Sequence, residues 1–299
     1  MISIQAERLK EVLLKSRNLE AILSTPLELQ RKGWEEAASA DDIPDSIVIR
    51  EAVIGNTYAE WISTESSRKD NIIMYFHGGG YTQGSTLTHR RLAAHIVKNT
   101  DLPMILFNYP LAPENPYPAA LNSSEQIYLH LLDSGYQSEN IIFGGDSSGG
   151  GLATALTLLL KDKKIPLPKG IFLLSPMLDL TLSGGTISTN AGKDPLLYIE
   201  DMRRTVSRYI EKESPNNPLI SPVFGEISGF PPLLMQVGSD ELLLSDSTRF
   251  ADRAKASQVD VQLSVWEGMW HVFQAWVGEV PEAADAIAEI GRFTKTVFD

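Results

Sequence analysis

Short, nearly continuous apolar runs alternate along this chain with longer stretches whose apolar positions recur at helical spacing. The short runs predict strands near residues 46–53, 57–63, 71–76, 103–108, 140–144, 169–175, 232–238 and 260–266. The longer stretches predict helices near 88–99, 118–133, 148–161, 245–257 and 281–297. Regular alternation of strand and helix predicts an α/β fold, with a mostly parallel eight-stranded sheet covered by helices on both faces. No internal repeat, low-complexity tract or long linker interrupts the pattern. Residues 1–299 are therefore read as a single domain, an ordinary length for one α/β unit.

Two segments fall outside the alternation. Near the amino terminus, Ala6, Leu9 and Leu13 recur at helical spacing between charges, and Pro26 to Ala38 predicts a second helix containing Leu27, Trp34 and Ala37. Between two later strands, a loop at Ser183-Gly184-Gly185 leads to a helix predicted from Pro195 to about Lys212. With no strand beside them, these segments, about 1–42 and 181–216, either pack on the core as further helices or form the helical cap that the family resemblance given below implies. Leu196, Leu197, Tyr198 and Met202 are candidate lining residues.

Composition narrows the function. The formal net charge is −12 and the sequence pI is about 4.9, which argues against nucleic acid, whose phosphates need a basic footprint. There is no cysteine, hence no disulfide and no thiolate metal site. No His/Asp/Glu cluster has zinc spacing. Glu7, Arg8, Lys10, Glu11 and Lys15 break any apolar leader in Met1 to Ser16, and no run is long enough to span a membrane. A cytoplasmic location is expected.

The chemistry begins at Gly145-Asp146-Ser147-Ser148-Gly149, between the apolar run Ile141-Ile142-Phe143 and the helical run Leu152 to Lys161. Strand, Gly-x-Ser-x-Gly, helix is the layout of a nucleophile elbow. Gly145 and Gly149 clear space around a sharp turn, and the helix N-terminus directs partial positive charge at the same spot. Upstream, His77-Gly78-Gly79-Gly80 ends the strand Asn71 to Phe76, and such a loop can aim backbone N–H groups at an oxyanion together with the N–H of Ser148. A phosphate loop would need a Gly-Lys-Ser/Thr ending, which is missing.

Of five histidines, only His271 follows both Ser147 and a late strand. An acid is expected between them, where Leu233 to Gly238 is followed by Ser239-Asp240-Glu241. Two carboxylates compete there, and either could hold the imidazole in one tautomer. Other residues have plainer readings. His89-Arg90-Arg91 reads as a solvated helix start capped by Thr88. Trp266 and Trp276 read as core, and Asp146 either tunes the loop of the nucleophile or is simply a helix-dipole contact, which is enough to explain it.

These residues resemble the hormone-sensitive lipase family of α/β-hydrolases, the bacterial family IV carboxylesterases. The resemblance rests on His77-Gly78-Gly79-Gly80, the run Tyr109-Pro110-Leu111-Ala112-Pro113-Glu114 continuing to Ala120, Gly145 to Gly150, and Gly268-Met269-Trp270-His271. It implies an α/β-hydrolase fold with a helical cap, and Ser147 as nucleophile with His271 as base. It also implies an oxyanion hole from Gly79, Gly80 and Ser148. The family's acid sits three residues after a glycine that ends a strand, which selects Glu241 over Asp240. The implied activity is a serine carboxylesterase acting on short- to medium-chain acyl esters, with no cofactor or metal and with a small-molecule ester as substrate. Many members are homodimers. A lactone or amide substrate, or a receptor that has lost the base, are the other readings of the same fold, and the intact Ser147, Glu241 and His271 speak against the receptor.

Overall fold

In the computed structural model, which describes residues 2–67 and 70–299, one eight-stranded sheet organises the chain. The strands are β1 (Ile47–Ile54), β2 (Thr57–Thr64), β3 (Ile72–Phe76), β4 (Met104–Phe107), β5 (Ile141–Asp146), β6 (Gly170–Leu174), β7 (Leu233–Gly238) and β8 (Val261–Trp266). Their spatial order is β1-β2-β4-β3-β5-β6-β7-β8. β1 pairs antiparallel with β2, and β2 with β4, while every other pairing is parallel. Each strand lies where the apolar runs predict one.

The helices are α1 (Ile4–Ser16), α2 (Leu19–Ser24), α3 (Leu27–Ala38), α4 (Thr86–Thr100), α5 (Ala119–Asp133), α6 (Ser147–Asp162), α7 (Thr186–Thr189), α8 (Ile199–Ile210), α9 (Leu244–Ala256) and α10 (Pro281–Phe298). Alternate residues of the central strands feed two cores, because side chains on a strand point to opposite faces. Ile72, Met74, Phe76, Phe143 and Leu173 pack with α5, α6 and α9. Ile73, Tyr75, Ile142, Phe172 and Leu174 pack with α4 and α10. Both faces of β3, β5, β6 and β7 are buried, which is why their sequences are apolar throughout. Among the described residues, no helix is long and apolar enough to cross a membrane.

Two helix starts differ from the predicted ones by more than one residue, each for a local reason. α4 begins at Thr86, not 88, because Ser85 is its N-cap; the Ser85 N–H donates to Thr88 Oγ1 at 2.8 Å, so Thr88 sits inside a capping box. α8 begins at Ile199 rather than Pro195, because the N–H groups of Leu196 and Leu197 are held by the Asp194 side chain in a non-helical turn.

The reading of His89-Arg90-Arg91 as a solvated helix start is corrected. His89 is buried, and Arg90 forms two hydrogen bonds to Glu60, a β2 carboxylate with no exposed surface, at 2.5 and 3.0 Å. Arg91 pairs with Glu279 at 3.0 Å. The Arg90–Glu60 pair ties α4 to the sheet. Arg90→Met would leave a buried carboxylate unpaired and should lower folding stability by about 3 kcal/mol. Urea denaturation measures this, and an unchanged midpoint would show that water reaches Glu60.

Candidate active site

The loops after β3, β5, β6, β7 and β8 meet at the carboxyl ends of the parallel strands, where open α/β sheets bind their ligands. Ser147 is the first residue of α6 and follows β5 without an intervening loop. Its φ is +51°, a left-handed conformation that costs a non-glycine residue free energy unless its surroundings impose it. Here they do. A Cβ on Gly145 would stand 2.7 Å from the carbonyl of Gly149, and one on Gly149 only 2.0 Å from the carbonyl oxygen of Phe76. The two glycines allow strand and helix to approach so closely that the residue between them is turned outward. The Ser147 carbonyl is anchored by the Met177 N–H at 2.9 Å.

Ser147 Oγ lies 2.9 Å from Nε2 of His271, and His271 Nδ1 lies 2.9 Å from Glu241 Oε2. The carboxylate can only accept, so Nδ1 carries the proton and Nε2 is left to accept from the serine hydroxyl. Glu241 has no exposed surface. Its second oxygen accepts from Ser175 Oγ at 2.8 Å and from the Gly238 N–H at 2.5 Å. Ser175 Oγ in turn accepts from the Val272 N–H at 3.0 Å, which ties the Glu241 loop to the His271 loop. Burial pulls the His271 pKa down, but the hydrogen bond and charge of Glu241 more than offset it, and the net direction is upward. Asp240 faces elsewhere: it pairs with Lys10 of α1, which also donates to the Gly268 carbonyl at 2.9 Å. The structure thus brings Ser147, His271 and Glu241 together and leaves Asp240 outside.

The glycine loop is prepared by a buried network. Asp146 accepts from the Tyr75 hydroxyl at 3.0 Å and from the Gly78 N–H at 3.1 Å, and its other oxygen lies 3.3 Å from His89 Nε2. Burial opposes its ionisation, but the His89 and Tyr75 contacts prevail and hold its pKa below the usual carboxylate value. His77 Nδ1 donates to the Gly78 carbonyl at 2.7 Å, and its ring stacks on Tyr109 at 4.1 Å. Burial, then the neighbouring His89, push His77 down to about 3, so it is neutral. The Gly78 N–H is committed to this network, and the Tyr81 N–H donates to Ser148 Oγ at 3.2 Å. Between them, the N–H groups of Gly79 and Gly80 have no partner among the described residues, nor does that of Ser148 in the first turn of α6. Gly79 has φ +113° and Gly80 φ +63°, and a Cβ on Gly79 would meet the Gln83 carbonyl at 2.2 Å.

These groups open into a cleft of about 510 Å³. Ser147, His271, Gly79 and Gly80 stand on its floor; Trp34, Ala37 and Ala38 of α3 and Leu196, Leu197, Met202 and Thr205 from residues 181–216 supply walls. Tyr198 instead lies under the Arg17 guanidinium, 4.2 Å from its ring centre. Arg31 pins α3 beside the cleft by hydrogen bonds to Glu114 at 3.0 and 2.8 Å. Trp276 is half-buried: it packs against the core as read, and it also lines the cleft. Three contributions escape sequence reasoning: those of Ser175, Asp194 and His89. Ser175 stands directly after β6, where the same strand-end rule that finds Ser147 would flag it. No pattern marks the other two.

Residues 73–275 match the family described as the alpha/beta hydrolase fold. The chain is 38% identical over 253 residues to an esterase of Acinetobacter venetianus, covering 84% of this chain and 83% of that protein. An acetyl-hydrolase of Streptomyces hygroscopicus is 34% identical over 263 residues, 88% and 86% of the two chains. Among solved structures, an esterase from the bacterial hormone-sensitive lipase family aligns over 100% of both chains with a TM-score of 0.94 and 34% identity. EstE5, whose crystal was soaked with p-nitrophenyl butyrate, aligns over 99% of both with a TM-score of 0.94 and 33% identity. The chain belongs to the bacterial hormone-sensitive lipase family of α/β-hydrolases.

Proposed function

We propose that this carboxylic ester hydrolase acts on short- to medium-chain acyl esters through an acyl-enzyme on Ser147, with His271 as base and Glu241 as the triad acid. The observation that carries the reading is the unbroken relay from Ser147 Oγ through His271 to Glu241, with both steps at 2.9 Å. His271 Nε2 takes the hydroxyl proton as Ser147 Oγ attacks the ester carbonyl. The negative charge that develops on the carbonyl oxygen falls to the free N–H groups of Gly79, Gly80 and Ser148. His271 then gives the proton to the leaving alcohol, and a water activated by the same nitrogen releases the acid and frees Ser147. Every proton passes through Nε2, while Glu241 holds the tautomer and stabilises the imidazolium. Residues 1–42 and 181–216 act as the cap, excluding water and shaping the acyl and alcohol pockets. The reading includes a cytoplasmic location, and a homodimer carried by the family resemblance.

Ser147→Ala should fold normally and lose nearly all turnover, and a phosphonylating reagent should label Ser147 alone in the wild type. Mass spectrometry of the labelled peptide decides this, and a label on another serine with activity kept in the variant removes the assignment.

The choice of acid generates a paired test. Glu241→Gln keeps the shape but cannot hold the right tautomer, and should cost up to about 10⁴ in kcat. Asp240→Asn, which loosens only the contact to Lys10, should cost far less. The pH profile gives a second readout. His271 must be neutral to accept the Ser147 proton, and its pKa is raised, so kcat/KM should fall with decreasing pH through a value above 6.5. In Glu241→Gln that limb should move to lower pH. A dead Asp240→Asn beside an active Glu241→Gln would reverse the assignment.

Substrate length follows from the cleft. A space of about 510 Å³ with aliphatic walls accommodates a short acyl chain, and the small cap and the family resemblance carry the expected preference for it over long chains. Turnover of p-nitrophenyl esters should peak between about four and eight acyl carbons, in keeping with a cleft in the usual small-ligand range. A velocity that keeps rising to oleoyl esters at an oil–water interface would refute this.

A further inference from the structure

Asp194 is a carboxylate with no exposed surface, set in the turn between α7 and α8. Its Oδ1 accepts from the N–H groups of Leu196 at 2.9 Å and Leu197 at 3.1 Å. Its Oδ2 accepts from the N–H of Leu242 at 3.0 Å. Leu196 and Leu197 form part of the cleft wall, and Leu242 directly follows Glu241. In the same turn, the buried Asn190 amide donates to the carbonyls of Ser239 and Glu241, both at 3.0 Å. The backbone on either side of Glu241 is therefore held by this one turn. The turn is itself fastened from outside. The Arg17 guanidinium donates to the carbonyls of Ala191 at 3.1 Å, Asp194 at 2.8 Å and Leu197 at 3.2 Å.

We infer that Asp194 is a positioning residue for ester hydrolysis: it locks the cleft wall at Leu196 and Leu197 to the loop that carries Glu241, and so fixes the acid against His271. The inference rests on the triad proposed above. A carboxylate suits the task because both of its oxygens only accept, so one side chain holds three N–H donors on two segments. An asparagine would have to turn its NH₂ toward one of those donors. Placement matters because a shift of about 1 Å in a group that orients the chemistry can cost on the order of 10²-fold in rate.

Asp194 also carries charge toward the base. The ionisable groups that face this corner are Glu241 and His271 from the loops after β7 and β8, Asp146 at the head of α6, and Arg17 on the carbonyl side of the turn. Lys10 and Asp240 lie on the outer side of the acid loop. Burial lowers the His271 pKa, while Glu241, and behind it Asp194 and Asp146, raise it.

Asp194→Asn removes the charge and one of the two anchorages, whereas Asn190→Ala removes only backbone ties. Both are assayed on p-nitrophenyl butyrate, with folded enzyme counted by phosphonate titration of Ser147. Asp194→Asn should lower kcat roughly ten- to a hundredfold with KM little changed, as expected for a misplaced catalytic group. It should also move the acidic limb of kcat/KM to lower pH. Asn190→Ala should lower kcat and leave the limb in place. A purely structural role for the turn would lower the melting temperature but leave kcat and the limb as in the wild type, and that result overturns the inference. Should Asp194→Asn not fold, wild-type kcat in Asn190→Ala overturns it alone. Ser147→Ala separates the two levels: full turnover there removes the triad reading itself, whereas a dead Ser147→Ala beside an unaltered Asp194→Asn removes only this inference.

Discussion

A glutamate carboxylate with no surface exposure must be surrounded by donors or lose its charge, and the structure around Glu241 is arranged to meet that demand. Its donors come from three neighbouring strands' ends: Ser175 after β6, Gly238 at the end of β7, and His271 in the loop after β8. None of these contacts is local except that of Gly238. Each requires the sheet to be in register, so the charge of Glu241 and the register of β6, β7 and β8 depend on one another. The relay to Ser147 is the outward end of this arrangement. It is short because the groups behind it have no freedom to move away.

The same logic operates on the other side of the proposed nucleophile. Asp146 is also buried, and it takes the N–H of Gly78 while Tyr75 and His89 satisfy its remaining capacity. Committing the Gly78 donor and the Tyr81 donor leaves the N–H groups of Gly79 and Gly80 free to serve a ligand. A pair of unsatisfied donors is ordinarily a defect in a folded chain. Beside Ser147, at the N-terminus of α6, it is the feature an oxyanion would stabilise, and the glycine backbone is what lets the loop present it.

Much of this arrangement is legible in the order of residues alone. The eight strands can be read because the central ones are buried on both faces, which leaves apolar runs with no polar interruption. Ser147 and the glycine loop can be read because close backbone approach admits only glycine, and glycine is visible in a sequence. The residues after Gly238 leave two carboxylates open, and only the family resemblance favours Glu241 over Asp240; in the structure Glu241 meets His271 and Asp240 meets Lys10. What stays hidden are pairings between distant segments. Nothing near Arg90 announces Glu60, and nothing near Lys10 announces Asp240. His89 reads as part of a solvated helix start because its partner, Asp146, lies 57 positions away. Trp276 reads as core because a tryptophan that packs on Trp270 with one edge and faces the cleft with the other has no distinct signature.

Placing both anchoring carboxylates on backbone N–H groups has a consequence for how the site tolerates change. The side chain of Asp194 holds main chain only, and Asp146 holds the Gly78 N–H beside the side chains of Tyr75 and His89, so the sequence of the backbone-held segments can vary while their paths stay fixed. Leu196 and Leu197 can therefore be exchanged for other residues to reshape the cleft without disturbing the turn that positions them, because Asp194 bonds their N–H groups and not their side chains. The glycine loop is the opposite case. There the main chain itself supplies the proposed oxyanion donors, and a side chain at Gly79 would collide with the Gln83 carbonyl. The walls of the cleft thus have room to accept other side chains, whereas at Gly79 the backbone leaves none.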